Sequence, residues 1–233
     1  MKIGTVNIDW FKKSVRSKQS IVDKIKDQDF DILIVTENIE AFKFSDNYFV
    51  YHSDAIPLNG TFEFFDYGNY LKGNHPVRTS IYSKYPSVRQ NTVRDSFTSI
   101  SHDFLIKEKM ITVYGTIIGT LGIRHQKDIA KKELLNFIFD VDSLIENEND
   151  FIIAGDFNTS FFEAEKQELS QINSREVVRN ITDKYYIQRV TEDISENIDH
   201  IFVSKSIQKV EKFTWITESE LGDKYHKGVA III

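Results

Sequence analysis

A carboxylate and a carboxamide stand two residues apart in the stretch FIIAGDFNT, as Asp156 and Asn158. The apolar residues Phe151 to Ala154 predict a buried strand that runs into a tight turn. Residues two apart in a strand share a face, so both polar side chains are expected in one pocket. An ionised Asp can bind a hard metal ion or accept a proton from water, and a neutral Asn can donate to a phosphoryl oxygen. An ordinary turn is the alternative, because Gly, Asp and Asn all favour turns.

Composition is that of a globular protein with one large core. The chain has 233 residues, of which 41% are hydrophobic and 27% charged, which predicts a single domain over residues 1–233. No apolar run is long enough to cross a membrane, and the first residues lack the apolar core of a signal peptide. The absence of cysteine excludes a disulfide scaffold and a thiolate metal site. We predict a cytoplasmic location, with which a cysteine-free chain is compatible.

The charge balance bears on the substrate. The net charge is −6 and the isoelectric point is about 5.6, without a strong run of Lys and Arg. Dedicated binders of long duplex nucleic acid usually carry a basic face. The acidic balance therefore argues mildly against tight non-specific DNA binding, but not against a small phosphate ester or a substrate bridged by a metal.

Apolar patterning predicts an α/β protein in which strands dominate. Helical spacing is found over residues 20–26, with a polar extension upstream, and most clearly over 126–146. Residues 53–76 are expected to form a surface excursion, and 160–184 a loop followed by a helix. This pattern favours two packed sheets with helices outside them. The predicted strands cover residues 2–8, 31–37, 48–52, 78–83, 95–106, 110–118, 151–154, 187–190, 198–203, 210–216 and 228–233.

Further polar residues lie at the ends of predicted strands. Asn7 ends the first strand and Glu37 the second, while Asp199 opens the strand IDHIFVS and His226 precedes the last strand. Catalytic groups tend to lie at such positions above a packed scaffold. The strands flanked by Asp199 and His226 are expected to be neighbours in one sheet. His200 alternates to the face opposite Asp199, so it is expected beside the site without acting in it.

The order of these motifs resembles the endonuclease/exonuclease/phosphatase superfamily, which includes deoxyribonucleases, abasic-site endonucleases, inositol polyphosphate phosphatases and neutral sphingomyelinases. The resemblance rests on the Asn at the end of strand one, the Glu of DILIVTE, GDFN, IDHIFVS and the late His, and it spans essentially the whole chain. It implies a four-layer α/β/β/α sandwich and a phosphoesterase that uses Mg²⁺ or Mn²⁺. By this resemblance Glu37 looks like the main metal carboxylate, and Asn7 like its neighbour, as a ligand or a hydrogen-bond partner.

The resemblance also implies roles for the other motif residues. Asp156 would hold or deprotonate the attacking water, and Asn158 would bind the scissile phosphate. Asp199 would orient His226, whose imidazole would stabilise or protonate the phosphate. These roles agree with general chemistry, since a metal ion neutralises charge on the reacting phosphate, a base activates water, and a carboxylate favours the cationic form of a histidine.

The last motif departs from the family pattern. Relatives carry Ser-Asp-His there, whereas this chain has Lys224-Tyr225-His226. Tyr225 thus stands where the family has a metal-site Asp, and Asp223 lies two positions earlier. Either a shifted loop brings Asp223 into the site, or the metal site is weakened.

A second departure follows the strand over residues 110–118. Many relatives hold the phosphate with a His or Tyr at this strand end, whereas this chain has Thr116 or Ile117 in that slot. Arg124 and His125 follow in the next loop and are predicted to bind substrate instead. The alternative is a solvated pair of residues before the long helix.

The leading interpretation is a divalent-metal-dependent phosphoesterase that acts on nucleic acid or on a small phosphorylated substrate, with nuclease as the commonest activity. One alternative is a phosphatase or lipid phosphodiesterase on a small substrate. The other is a binding protein of the same fold with weakened catalysis, which Tyr225 would support. Nothing in the sequence predicts a protein partner.

Overall fold

A computed structural model describes residues 1–55, 76–120, 127–165 and 172–233. Within these ranges two six-stranded sheets pack face to face and helices cover their outer surfaces. This is the four-layer α/β/β/α sandwich expected from the sequence. None of the helices in the described ranges has the length and apolar character needed to span a membrane.

Most elements lie close to their predicted positions. The helices are α1 (Val15–Gln28), α2 (Asp128–Glu146), α3 (Ser174–Lys184) and α4 (Glu218–Leu221), with a 3-10 turn at Trp10–Lys12. The strands are β1 (Lys2–Asn7), β2 (Ile32–Ile39), β3 (Phe49–His52), β4 (Pro76–Ser83), β5 (Ser87–Asn91), β6 (Ser99–Ile106), β7 (Lys109–Ile117), β8 (Asp150–Asp156), β9 (Gln188–Arg189), β10 (Asp199–Val203), β11 (Glu211–Ile216) and β12 (Gly228–Ile232).

The strand directions bring the predicted site residues to one edge of the sandwich. The first sheet has the order β11-β12-β1-β2-β4-β3 and the second β5-β6-β7-β8-β10-β9. β1 runs parallel to β2 and antiparallel to β12, while β7 runs parallel to β8 and β8 antiparallel to β10. The ends of β1, β2, β7 and β8 therefore share an edge with the starts of β10 and β12.

Three apolar clusters join the four layers. The cluster between the sheets is mainly Ile and Val, such as Ile34 and Ile201. A second cluster buries Ile21 and Ile25, four residues apart on α1, against the outer face of the first sheet. A third packs α2 and α3 against the second sheet. The apolar faces are buried on both sides of each sheet, so the sheets form a rigid base for the shared edge.

Two elements differ from the sequence-based expectation. β5 was not predicted, because its exposed edge-strand sequence SVRQN has no apolar alternation. The helix α4, of four residues, is set by a capping box at Thr217 and Glu220 rather than by apolar periodicity. Most of the predicted surface excursion, residues 56–75, lies outside the described residues.

Gly155 of the GDFN turn is held against the neighbouring strand. Its φ is +145°, and an added Cβ would lie 1.9 Å from the Thr116 carbonyl oxygen. We expect Gly155→Ala to lower the free energy of unfolding by at least about 3 kcal/mol, the upper range for one substitution. Gly222→Ala is the matched control, since Gly222 also has a positive φ but its Cβ would meet nothing within 4 Å. It should cost only about 1–2 kcal/mol in urea unfolding; equal losses would contradict the close approach.

Candidate active site

The centre of the site is a pair of carboxylates on adjacent strands of the second sheet. Asp156, the last residue of β8, is the register partner of Asp199, the first residue of β10. Nδ1 of His226 lies 2.8 Å from Oδ2 of Asp199. One ligand atom from each of Asp156, Asp199 and His226 can be chosen so that all three lie within 4.8 Å of one another. The structure thus brings together three of the predicted residues.

The route by which His226 reaches Asp199 differs from the prediction. β10 belongs to the second sheet, whereas β12, which follows His226, belongs to the first. The expectation that these strands are neighbours in one sheet is therefore wrong. Their starts face each other across the sandwich, so the hydrogen bond between His226 and Asp199 joins the two sheets.

The surroundings of His226 favour its cationic form. Burial alone would lower the pKa of His226, but the carboxylates of Asp199 and Asp156 outweigh it and raise the pKa to about 10. Burial also raises the pKa of Asp199, an effect that the charge of His226 opposes. Oδ1 of Asp199 is buried without a hydrogen-bond partner among the described residues. The imidazolium and its carboxylate form a buried ion pair whose second oxygen remains available.

Asp156 is fixed by a hydrogen bond to each of its oxygens. Nδ2 of Asn7 donates to Oδ2 at 3.0 Å, and the backbone N–H of Asn158 donates to Oδ1 at 2.8 Å. Burial raises the pKa of Asp156 to about 6, with His226 opposing and Asp199 adding to the shift. A carboxylate with a raised pKa and fixed lone pairs suits a general base.

Asp9 is a site residue that the sequence reasoning missed. Its backbone N–H donates to Oδ1 of Asn7 at 2.9 Å, and its Oδ2 lies 2.8 Å from Nζ of Lys12. The charge of Asp9 contributes to raising the pKa of Glu37. The available signal was the spacing of Asn7 and Asp9, two polar residues two apart at a strand end, as in GDFN.

Glu37 does not end its strand as predicted. β2 continues to Ile39, and Glu37 interrupts it with a left-handed backbone, φ 53°. Burial is the main cause of a raised pKa for Glu37; Asp9 and Asp156 add to it, while Arg78 and His226 oppose it. Glu37 is thus electrostatically linked to residues of both sheets, and a local kink rather than a strand terminus sets its position.

Asn158 does not share a strand face with Asp156, because β8 ends at Asp156. Asn158 has a left-handed backbone, φ 50°, and its Nδ2 donates to the Ile118 carbonyl at 2.9 Å. An Asx turn, closed by the Asn158 N–H on Asp156, keeps the two residues together instead. The phosphate-binding role of Asn158 stays a prediction.

The residues around Tyr225, in the motif that differs from the family pattern, lie near the site. The backbone N–H of Tyr225 donates to Oδ1 of Asp223 at 3.1 Å, and the Tyr225 carbonyl accepts from Ile198. The charge of Asp223 acts on both His226 and Lys12. Asp223 is therefore near enough to influence the site electrostatically, although one of its oxygens caps its own turn.

The remaining predicted residues are placed as follows. Oγ1 of Thr116 pairs with Ser99 at 2.8 Å, and Ile117 is buried. Arg124 and His125 lie outside the described residues. His200 is buried on the outer side of its sheet and bonds the Thr159 carbonyl at 3.0 Å, away from Asp199.

The sandwich fold is shared with several solved structures. The 3'-5' exonuclease NExo from Neisseria meningitidis shares the fold with a TM-score of 0.68 at 14% identity, covering 100% of this chain and 99% of that one. An AP endonuclease from Archaeoglobus fulgidus has a TM-score of 0.67 at 16% identity, covering 100% and 99%. An endonuclease/exonuclease/phosphatase family protein from Leptotrichia buccalis has 0.65 at 14%, covering 100% and 99%.

A model of the endonuclease/exonuclease/phosphatase family matches residues 4–219, and the chain belongs to this family. The matched residues end before His226, so the last motif rests on the geometry described above. A comparison with curated proteins gives no match. Members of the family are hydrolases of phosphoester bonds and generally depend on a divalent metal.

The residues present fit a divalent cation. Asp9, Glu37 and Asp156 are close enough for the first and third to raise the pKa of the second, a repulsion that a cation would relieve. The buried Oδ1 of Asp199 adds an oxygen without a partner in the described ranges. Mg²⁺ and Mn²⁺ prefer carboxylate oxygens to imidazole nitrogen, which favours the carboxylates on the Glu37 side.

Proposed function

We propose that the chain is a single-domain, divalent-metal-dependent phosphoesterase of the cytoplasm that hydrolyses phosphate ester or phosphodiester bonds. The observation that carries the proposal is the cluster of Asp156, Asp199 and His226 at the sandwich edge, with Asn7 fixing Asp156. A base with fixed lone pairs beside a buried imidazolium suits attack by water on a phosphorus atom.

Glu37 would hold Mg²⁺ or Mn²⁺, with Asn7 and Asp9 beside it, as hard oxygen donors suit both ions. The ion supplies charge neutralisation on the phosphoryl oxygens. Nδ2 of Asn7 donates to Oδ2 of Asp156, and Oδ1 of Asn7 accepts from the backbone N–H of Asp9. Asn7 therefore orients the base whether or not it also binds the metal.

Asp156 would take the proton of the attacking water. His226, cationic and held by Asp199 at 2.8 Å, would bind a phosphate oxygen and give a proton to the leaving group. Asn158 would bind the scissile phosphate. Its Nδ2 uses one N–H on the Ile118 carbonyl, and the amide has a second N–H to donate. Arg124 and His125 are proposed as further substrate-binding residues.

Two observations bear on the substrate class, and they favour different substrates. The neighbours include a 3'-5' exonuclease and an AP endonuclease, which favours nucleic acid as the substrate. The net charge of −6 argues mildly against tight non-specific DNA binding, so a small phosphorylated substrate, as for a phosphatase or lipid phosphodiesterase, is the second candidate.

The proposal is tested by hydrolysis of bis-(p-nitrophenyl) phosphate by the purified protein with Mn²⁺ or Mg²⁺. Release of nitrophenol that stops with chelator and returns with metal is the expected result. Binding of the diester without turnover, with either metal, would instead identify the protein as a binding member of the fold that has lost catalysis. Parallel assays on a DNA hairpin and an inositol phosphate then separate the two substrate classes.

We expect Glu37→Gln to weaken Mn²⁺ binding at least about tenfold, because the amide keeps the shape but removes the charge of a hard-ion ligand. Calorimetric titration of Mn²⁺ into the two proteins measures this. Glu108→Gln is the matched control, since Glu108 precedes β7 at the opposite edge of the sheet. Unchanged Mn²⁺ affinity in Glu37→Gln would remove Glu37 from the metal site.

A further inference from the structure

A buried ion pair lies next to the candidate active site. Arg78 of β4 and Glu133 of α2 are 2.9 Å apart, and their side chains are only 8% and 2% exposed. The pair spans the sandwich, because β4 belongs to the first sheet while α2 covers the outer face of the second. Buried ion pairs seldom stabilise a protein more than apolar residues of the same size. Stability is therefore a weak explanation for this one.

Thr120 closes the arrangement into a three-residue network. Nη2 of Arg78 donates to Oγ1 of Thr120 at 2.7 Å, and the backbone N–H of Thr120 donates to Oε2 of Glu133 at 2.8 Å. Thr120 follows β7 at the edge that carries the site. The guanidinium group is thus held by two partners: Thr120, which follows β7 of the second sheet, and Glu133 of α2, which covers that sheet.

Arg78 is placed beside Glu37 by the strand register. Thr36 pairs with Thr79 and Asn38 with Val77, which leaves Glu37 and Arg78 between the same two rungs of β2 and β4. The positive charge of Arg78 opposes the rise in the pKa of Glu37 that burial causes. Glu37 has the left-handed backbone described above, so β2 is irregular at the point where Arg78 lies across from it.

We propose that Arg78 is a positioning residue that orients the Glu37 carboxylate for the divalent metal, with Glu133 and Thr120 holding the guanidinium in place. This rests on the proposed metal-dependent function. The charge of Arg78 lies across the strand pair from Glu37 and opposes the repulsion that Asp9 and Asp156 exert on it, so a Glu37 carboxylate that faces this fixed cation is favoured. The contacts of Arg78 with Glu133 and Thr120 thereby link the proposed metal site in the first sheet to α2 on the far side of the second sheet.

The test uses the double variant Arg78→Met with Glu133→Gln, which removes both charges and leaves the net charge unchanged. Loss of an outer partner of a metal ligand typically weakens metal binding by about 10- to 100-fold, and we expect Mn²⁺ affinity in calorimetry to fall by at least tenfold. Removing a cation beside a metal site would by itself tighten Mn²⁺ binding. The sign of the change therefore separates positioning from simple repulsion, and unchanged or tighter binding overturns the inference.

Two further variants make the result specific. Arg78→Lys keeps the charge without the planar fork and should recover part of the lost affinity. The pair Arg89→Met with Asp103→Asn removes another ion pair, 2.7 Å in length, from β5 and β6, and should leave Mn²⁺ affinity unchanged. An equal loss in this control would show a general effect of destabilisation and overturn the inference.

Failure of the inference and failure of the proposed function are distinguishable in the same titrations. Wild-type protein that binds no Mn²⁺ would overturn both. Wild-type binding that the double variant matches would overturn only the role of Arg78. Circular dichroism and thermal unfolding establish that each variant is folded, and Arg78→Lys supplies the measurement if the double variant does not fold.

Discussion

Replacing Asp156 by Asn is expected to lower hydrolysis of bis-(p-nitrophenyl) phosphate by about 10²- to 10⁴-fold, the contribution of a general base. An amide cannot accept the proton of the attacking water. Asp156 also accepts one hydrogen bond at each oxygen, from Asn7 and from the N–H of Asn158, so an Asn there must turn an N–H₂ group towards one donor. A small loss of stability is therefore expected beside the large loss of turnover.

Asp140→Asn is the matched control for this variant. Asp140 also accepts two hydrogen bonds, from the Arg94 N–H and the Tyr114 hydroxyl, both at 2.9 Å, and burial likewise raises its pKa to about 6. It belongs to α2, and its two hydrogen-bond donors lie outside the carboxylate cluster. The control should lose stability and keep its turnover per folded molecule. An Asp156→Asn protein that retains more than a tenth of wild-type turnover would show that another group is the base.

Removing the imidazole in His226→Ala is expected to cost about 10²- to 10⁴-fold in rate, the range for one general acid. The pKa of His226 is raised to about 10, so the active cation is present at neutral pH and is lost as the pH rises. A bound divalent ion would lower this value, so the alkaline limb of the rate profile is expected at or below that pH. Asp199→Asn removes the carboxylate that contributes most to raising the pKa and should move the limb to lower pH.

The measurement is the pH dependence of kcat for the wild type, His226→Ala and Asp199→Asn. His102→Ala is the histidine control, because burial lowers the pKa of His102 to about 4 and its ring is neutral throughout the range. That variant should lose stability but keep the alkaline limb. A limb that is unmoved in Asp199→Asn would assign it to another group, such as the metal-bound water.

The same pair makes a contribution to stability with a defined sign. The folded pKa of His226 is about 10, above the ordinary value of 6.5. The ion pair with Asp199 therefore contributes most near neutral pH: it is lost as the pH rises through 10, and it weakens in acid as Asp199, whose pKa burial raises, becomes protonated. His226→Ala should consequently differ from wild type in thermal stability most near neutral pH.

Much of the fold can be predicted from sequence because the central strands are buried on both faces. Runs such as residues 32–35 and 151–154 are wholly apolar, which marks a strand between two layers. The sequence pattern does not predict β5, because most of its side chains are exposed and polar. Edge strands carry little apolar signal, so pairing with a neighbour rather than local pattern determines them.

The candidate site could be predicted in composition but not in detail. The spacing at Asp156 and Asn158 is a local signal, whereas the kink at Glu37 depends on pairing with β4. The partnership of Arg78 with Glu133 joins elements that only the packing of the two sheets brings together. Such contacts depend on tertiary structure, and no sequence motif around either residue predicts the ion pair.

The central position of β1 links catalysis to the order of folding. β1 pairs with β2 nearby in sequence but also with β12, as Lys2 with Ile232. Closing so long a loop is slow, because its entropy cost precedes any contact that repays it. His226 lies just before β12 and enters the site only when that strand joins the sheet. During refolding, secondary structure should therefore return before turnover does, and recovered activity should report the joining of the last strand.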